Sequence, residues 1–71
     1  MPDSMYKVIE LIGSSKESWE DAAKSVVTEA SKHLRDLRVA EVVEQDLVIE
    51  DGKVTHYRTK LHISFKYQGT S

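Results

Sequence analysis

The sequence contains no cysteine. Disulfides, thiolate metal sites and cysteine nucleophiles are thereby excluded. One proline and three glycines leave few points at which regular structure must break. The longest apolar run is three residues, Leu47-Val48-Ile49, against about 20 for a helix that spans a bilayer. The first four residues, Met1-Pro2-Asp3-Ser4, lack the basic and apolar regions of a secretory signal. The expected compartment is therefore the cytoplasm, with no membrane partner. Ten basic and twelve acidic side chains give a net charge of −2, which is not the strongly basic balance of a nucleic-acid-binding domain.

What is present is a soluble globular composition, 39% hydrophobic and 31% charged. With no repeat, linker or low-complexity stretch, residues 1–71 read as a single domain. A chain of 71 residues buries only about 60% of its unfolded surface, so its own core is marginal. Small folds are reinforced by disulfides, metals or oligomerisation. With no cysteine to use, oligomerisation is the expected reinforcement.

Residues 5 to 12 alternate as a strand, with Tyr6, Val8 and Ile12 on one face and Ile9 and Leu11 on the other. Gly13-Ser14-Ser15 reads as the break after it. Trp19, Ala22, Ala23, Val26, Val27, Ala30, Leu34 and Leu37 recur at spacings of three and four. This apolar stripe predicts a helix over residues 18 to 36. Ser15 or Ser18 is placed to cap it, and Glu17, Glu20 and Asp21 suit its positive end. Residues 39 to 50 form a second strand whose alternation slips near Val42-Val43 and Leu47-Val48, which predicts bulges. Asp51-Gly52 is a hairpin turn signal. Residues 53 to 67 form a third strand, with Tyr57, Leu61, Ile63, Phe65 and Tyr67 on one face and His56, Arg58, Lys60, His62 and Lys66 on the other.

The predicted fold class is α+β. A β-α-β-β unit wraps a three-stranded antiparallel sheet on one helix. A fifteen-residue strand reaches about 50 Å at roughly 3.3 Å per residue, whereas the predicted helix covers about 28 Å at 1.5 Å per residue. Part of the hairpin must then protrude, twist round or meet another copy. The exposed edges also invite pairing.

No enzyme signature stands out; the serines sit in no nucleophile elbow. His56 and His62 share a strand face about 20 Å apart, too far to bind one metal within a chain. The histidines read as solvated, with a symmetric site between copies as the alternative. Glu44, Asp46, Glu50 and Asp51 cluster around the hairpin, without the loop spacing of a calcium site. They read as a solvated surface, with a cation site assembled between subunits as the alternative. Lys53, Arg58, Lys60 and Lys66 could meet phosphates, but the aromatic residues lie on the opposite face and form no stacking platform for nucleic acid.

Together the segments resemble the dodecin family. The resemblance rests on Tyr-Lys-Val-Ile-Glu-Leu-Ile-Gly-Ser-Ser at residues 6 to 15 and Ser-Trp-Glu-Asp-Ala-Ala at 18 to 23. It continues with Leu-Arg-Val-Ala-Glu-Val-Val-Glu at 37 to 44, Asp-Gly-Lys-Val at 51 to 54 and His-Tyr-Arg at 56 to 58. Dodecins are small non-enzymatic proteins that assemble as hollow homododecamers. Most bind flavins, in a suggested storage or buffering role.

The resemblance implies a ligand site lined by Val39, Glu44, Gln45 and Arg58, for riboflavin or flavin mononucleotide. Val39 stands where flavin-binding members carry a stacking tryptophan. Arg58 stands where they carry a glutamine. Losing an aromatic stack forfeits about 0.5–1.5 kcal/mol beyond the area buried, and arginine offers donors but no acceptor. Arg58 would favour the phosphate-bearing flavin. The Arg-Val-Ala stretch at residues 38 to 40 resembles the branch without the tryptophan, which is linked to calcium. The alternative is therefore a flavin-free assembly that binds calcium or another cation, or is purely structural.

Overall fold

The computed structural model describes residues 5–67. Four elements follow in chain order: β1 (Tyr6–Ser15), α1 (Trp19–Ala30), β2 (Leu37–Glu50) and β3 (Lys53–Lys66). The sheet order is β1-β3-β2, with both pairings antiparallel. The predicted β-α-β-β unit is what forms.

The alternation of β3 decides where the core lies. Thr59, Leu61 and Ile63 are buried on one face, while Arg58, Lys60 and His62 stay partly exposed on the other. On the inner face Leu61, Ile63 and Ala30 form the core, with Ile9, Leu11, Ala23, Val26, Leu34 and Leu37 packed against it. The helix leans on β1 and β3 and barely touches β2. Thr59 is fully buried, and its hydroxyl donates to the Trp19 carbonyl at 2.9 Å. That bond satisfies a polar group inside the core and ties the helix start to the central strand.

Of the two candidates, Ser18 is the cap of α1, and Ser15 braces the turn before it. The Ser18 hydroxyl accepts from the Asp21 N–H at 2.9 Å. The Ser15 hydroxyl donates to the Asp21 carboxylate at 2.7 Å and accepts from the Glu17 N–H at 2.9 Å. Such a cap contributes roughly 1 kcal/mol.

The helix ends at Ala30, not at residue 36. The N–H groups of Lys32 and His33 each bond three residues back, at 3.1 and 3.0 Å, and the Ser31 hydroxyl donates to the Thr28 carbonyl. This tightening closes the helical ladder. Asp36 then takes φ 60° and redirects the chain into β2. Leu34 and Leu37 still reach the core from outside the helix. Lys32 and His33 lie just beyond the helix end, each 3.4 Å from Glu29.

β1 also differs from expectation, because it runs through Gly13 to Ser15. Gly13 pairs with Thr59. The glycine marks a close approach of the helix, not a break.

In β2 the expected bulges occur at Val42/Glu44 and Val48/Ile49, with a third at Leu37/Val39. At the turn Asp51 has φ 52° and Gly52 φ 76°. Two successive left-handed residues make the tight hairpin connection that matches strand twist.

The last pair of β1 with β3 is Ser15 with Tyr57. Beyond it the hairpin continues as a two-stranded arm. Twelve helical residues cover only about 18 Å, while the molecule is 53 Å long. Of the alternatives left open by the length mismatch, protrusion of the hairpin is present in the single chain, and the mismatch is larger than the sequence implied because the helix is shorter.

Candidate functional site

The helix-free face of the sheet is built by the polar alternation of β3 between two acidic edge strands. His62 lies in register between Glu10 of β1 and Glu41 of β2, and Lys60 lies opposite Glu44. The Lys60 ammonium is 3.0 Å from Glu44 and 3.4 Å from Glu10. Hydrogen bonding to Glu44, and then to Glu10, raises its pKa above the ordinary lysine value. Arg58 grips Asp46 through two parallel bonds, Nε to Oδ1 and an Nη to Oδ2, both 2.7 Å. The same bonds hold the Asp46 carboxyl below its ordinary value and raise the guanidinium. Basic side chains that looked free in the sequence are thus occupied by carboxylates from neighbouring strands.

The sign of the resulting pH dependence follows. A depressed folded-state carboxyl stabilises the fold above its unfolded pKa, and this contribution disappears as pH falls through the folded value. Asp46→Asn should therefore lose less stability than the parent between about pH 4, the free carboxyl value, and lower pH. Urea midpoints across that range would measure it. Parallel curves for the two proteins would show that the pair contributes nothing, which is common for exposed ion pairs.

The four residues implied by the resemblance fall into two sets. Val39 is opposite Ser64, Glu44 opposite Lys60 and Arg58 opposite Asp46, all register positions of the helix-free face. Gln45 is opposite Thr59, so it belongs to the helix side. Val39 is 59% exposed, and its register neighbour is not aromatic. A flat ring laid on Val39 would meet aliphatic surface from this chain. Glu44 and Arg58 already have ion-pair partners. The Arg58–Asp46 pair was not anticipated, although Asp46 was among the acidic hairpin residues.

Among the described residues no group of three or more histidine and carboxylate side chains is placed to hold a metal ion. His33 lies beside Glu29, and the His56 Nδ1 is 3.1 Å from the Thr55 hydroxyl. A hard cation takes six to eight oxygens. The carboxylates at Glu41, Glu44, Asp46, Glu50 and Asp51 have suitable chemistry, but among the described residues they are not gathered into one cluster. Among the described residues no helix is long and apolar enough to cross a membrane.

Trp19 is partly exposed rather than central in the core. Its indole N–H donates to the Asp46 carbonyl at 3.0 Å, and its ring stands edge-on to Tyr57 at 5.2 Å. It pins the base of the arm to the helix start.

A small antiparallel sheet wrapped on one helix, with a long hairpin arm, defines a known class of β-α-β-β protein. The dodecin family model matches residues 5–68. The chain belongs to the dodecin family. It is 52% identical over 64 residues to calcium dodecin of Mycobacterium tuberculosis, covering 89% of each chain. It is 35% identical over 66 residues to a Thermus thermophilus dodecin, covering 93% of this chain and 96% of the other. The solved dodecin of Streptomyces coelicolor superposes with a TM-score of 0.89 at 34% identity, covering 99% of this chain and all of that one. The crystal structure of the M. tuberculosis calcium dodecin, described as calcium-chelating with a novel calcium-binding site, gives 0.81 at 46% identity, covering 96% of this chain and 97% of that one.

Proposed function

We propose that this protein is a non-enzymatic, cytoplasmic dodecin-type homo-oligomer, a twelve-chain shell, and that its ligand is a divalent cation, calcium first. The observation that carries this reading is the 52% identity with a calcium dodecin across 89% of both chains. The site chemistry agrees. The flavin-stacking position is an exposed valine, and Arg58, the residue best suited to a flavin phosphate, is held by Asp46. The carboxylates on exposed edges supply hard oxygen donors, and a complete shell of them forms only when copies meet. The flavin reading keeps Val39, Glu44, Gln45 and Arg58 as its contacts and rests on the family fold shared with other dodecins.

One experiment separates the readings. The purified protein is melted with calcium, with chelator, with flavin mononucleotide and with riboflavin, and its mass is measured by light scattering. Calcium is expected to raise Tm and chelator to reverse the rise. A ligand at 100 times its Kd adds about 2.7 kcal/mol to the folded state. A melt that calcium and chelator leave unmoved would sink the cation reading. A rise with either flavin, accompanied by fluorescence quenching, would replace it with the flavin reading.

A further inference from the structure

The polar contacts at the base of the arm join into one circuit. The fully buried Thr59 hydroxyl donates to the Trp19 carbonyl at 2.9 Å. The Trp19 indole N–H donates to the Asp46 carbonyl at 3.0 Å. The Asp46 carboxylate accepts two parallel bonds of 2.7 Å from Arg58. Arg58 and Thr59 are neighbours in β3 with side chains on opposite faces, so the circuit closes. It begins on the helix side, crosses the sheet through Asp46 and returns on the helix-free face. Its Thr59 end is sealed in the core. The Arg58–Asp46 pair, with side chains 43% and 47% exposed, is the end open to solvent.

Asp46 is the joint. Its carbonyl serves one face and its carboxylate the other. The strand that carries it is an edge strand. Residues 44–48 lie between register shifts at Val42/Glu44 and Val48/Ile49, and such irregularities let a strand bend locally. The helix barely touches β2, so the tilt of this stretch answers to two holds, Trp19 on one side and Arg58 on the other. An exposed ion pair adds little stability. Two parallel charge-assisted bonds nevertheless fix orientation, and what they orient here is the residue that Trp19 grips.

We infer that Trp19 and Arg58 are coupled through Asp46. Trp19 is a positioning residue for the guanidinium on the helix-free face, and the state of the Arg58–Asp46 pair is felt at the base of the arm on the other face. A charged group that draws either partner out of the pair loosens the Trp19 latch. By reciprocity, loosening the latch frees Arg58. This goes beyond the proposed function and stands under either ligand reading, because it concerns the chain's own residues alone.

Trp19 is the only tryptophan, so its fluorescence reads the latch directly. Emission and acrylamide quenching are compared in the full chain for wild type, Arg58→Gln, Arg58→Lys and Asp46→Asn, with circular dichroism to confirm folding. Glu41→Gln is the control. It removes the same charge as Asp46→Asn from the same strand, opposite His62 and outside the circuit. Arg58→Gln and Asp46→Asn are expected to shift the emission to the red and raise the quenching constant. Arg58→Lys, which keeps the charge but not the fork, should fall between them and wild type. Glu41→Gln should leave both readings unchanged. Emission unmoved by Arg58→Gln, or moved equally by Glu41→Gln, overturns the coupling.

A double-mutant cycle in urea, at one protein concentration, reads the reverse direction. Trp19→Phe keeps a ring beside Tyr57 and removes the indole donor. The unfolding constants of Trp19→Phe, Arg58→Gln and the double variant are expected to depart from simple multiplication by about twofold or more, the lower edge for residues of one hydrogen-bond network. Effects that simply multiply would mean that Trp19 only packs and Arg58 only pairs, and the inference falls. The fluorescence series leaves Trp19 intact, so it decides the question even where Trp19→Phe does not fold.

Discussion

Leu61→Ala is expected to lower the stability of the chain by about 2–5 kcal/mol, the range for emptying a buried leucine site. Leu61 is 1% exposed at the centre of β3, with Leu11 opposite it on β1 and Val42 on β2. Its side chain meets the helix from below, and the core it belongs to contains few other fully buried side chains. A domain of this size has roughly 4–10 kcal/mol to lose at 0.05–0.15 kcal/mol per residue. The substitution therefore removes a large part of the total. In a small domain each kcal/mol moves Tm by about 4–8 °C, so the melt should fall by tens of degrees. Urea unfolding followed by far-UV circular dichroism measures it. A loss below about 1 kcal/mol would mean that the sheet and helix do not share the core described above.

The second large effect is expected at Gly13. Its backbone is not left-handed, so alanine costs nothing in conformation there, and it restricts the unfolded chain by a favourable 0.4–1 kcal/mol or so. Space decides against it. A Cβ built on Gly13 would lie 2.8 Å from the Ala22 carbonyl oxygen and would overlap the Val26 side chain. Val26 has some freedom to turn away, but the carbonyl is helix backbone. To admit the methyl, α1 must lift from β1 and loosen the contacts of Ile9 and Leu11. Overpacking of this kind costs about 1–3 kcal/mol, which exceeds the gain. Gly13→Ala should thus lower Tm and shorten the protection of helix amides in hydrogen exchange. A variant as stable as the parent would require the helix to sit farther from β1. Gly52 is glycine for the opposite reason, having open space around it but φ 76°.

These two positions show which parts of the molecule could be read from its residues. The alternation of β3, the turn at Asp51-Gly52 and the order of elements rest on local rules, and each was legible. Gly13 was read as a break because a glycine's neighbours in space cannot be seen along the chain. The helix was drawn too long because periodicity reports which residues face the core. Leu34 and Leu37 face it, but from a turn and a strand.

The Arg58–Asp46 pair needed the register of the hairpin. Counting back from Glu50 opposite Lys53 without interruption puts Asp46 opposite Tyr57, on the wrong face. The bulge at Val48/Ile49 moves it by one residue to Arg58. Val39, Glu44, Gln45 and Arg58 came from resemblance. Nothing in their spacing says that Gln45 faces away from the other three, because that too depends on the bulge at Val42/Glu44.

The strand order β1-β3-β2 also governs how the chain acquires its structure during synthesis. β1 and β2 never pair with each other; each pairs only with β3, which comes last of the four elements. Tyr6 finds Lys66, and Leu37 finds Phe65. A ribosome that has released β1, α1 and β2 has produced no two strands that belong together. Their apolar faces must wait for the final segment to emerge. Domains that mature from the amino terminus onward shelter early segments while later ones are made. This one has no such option, and long-range pairing is also slow. The tolerance of a nascent chain for arrest or truncation is therefore lowest at its carboxyl-terminal strand, where the loss of a few residues withdraws the template for both neighbours at once.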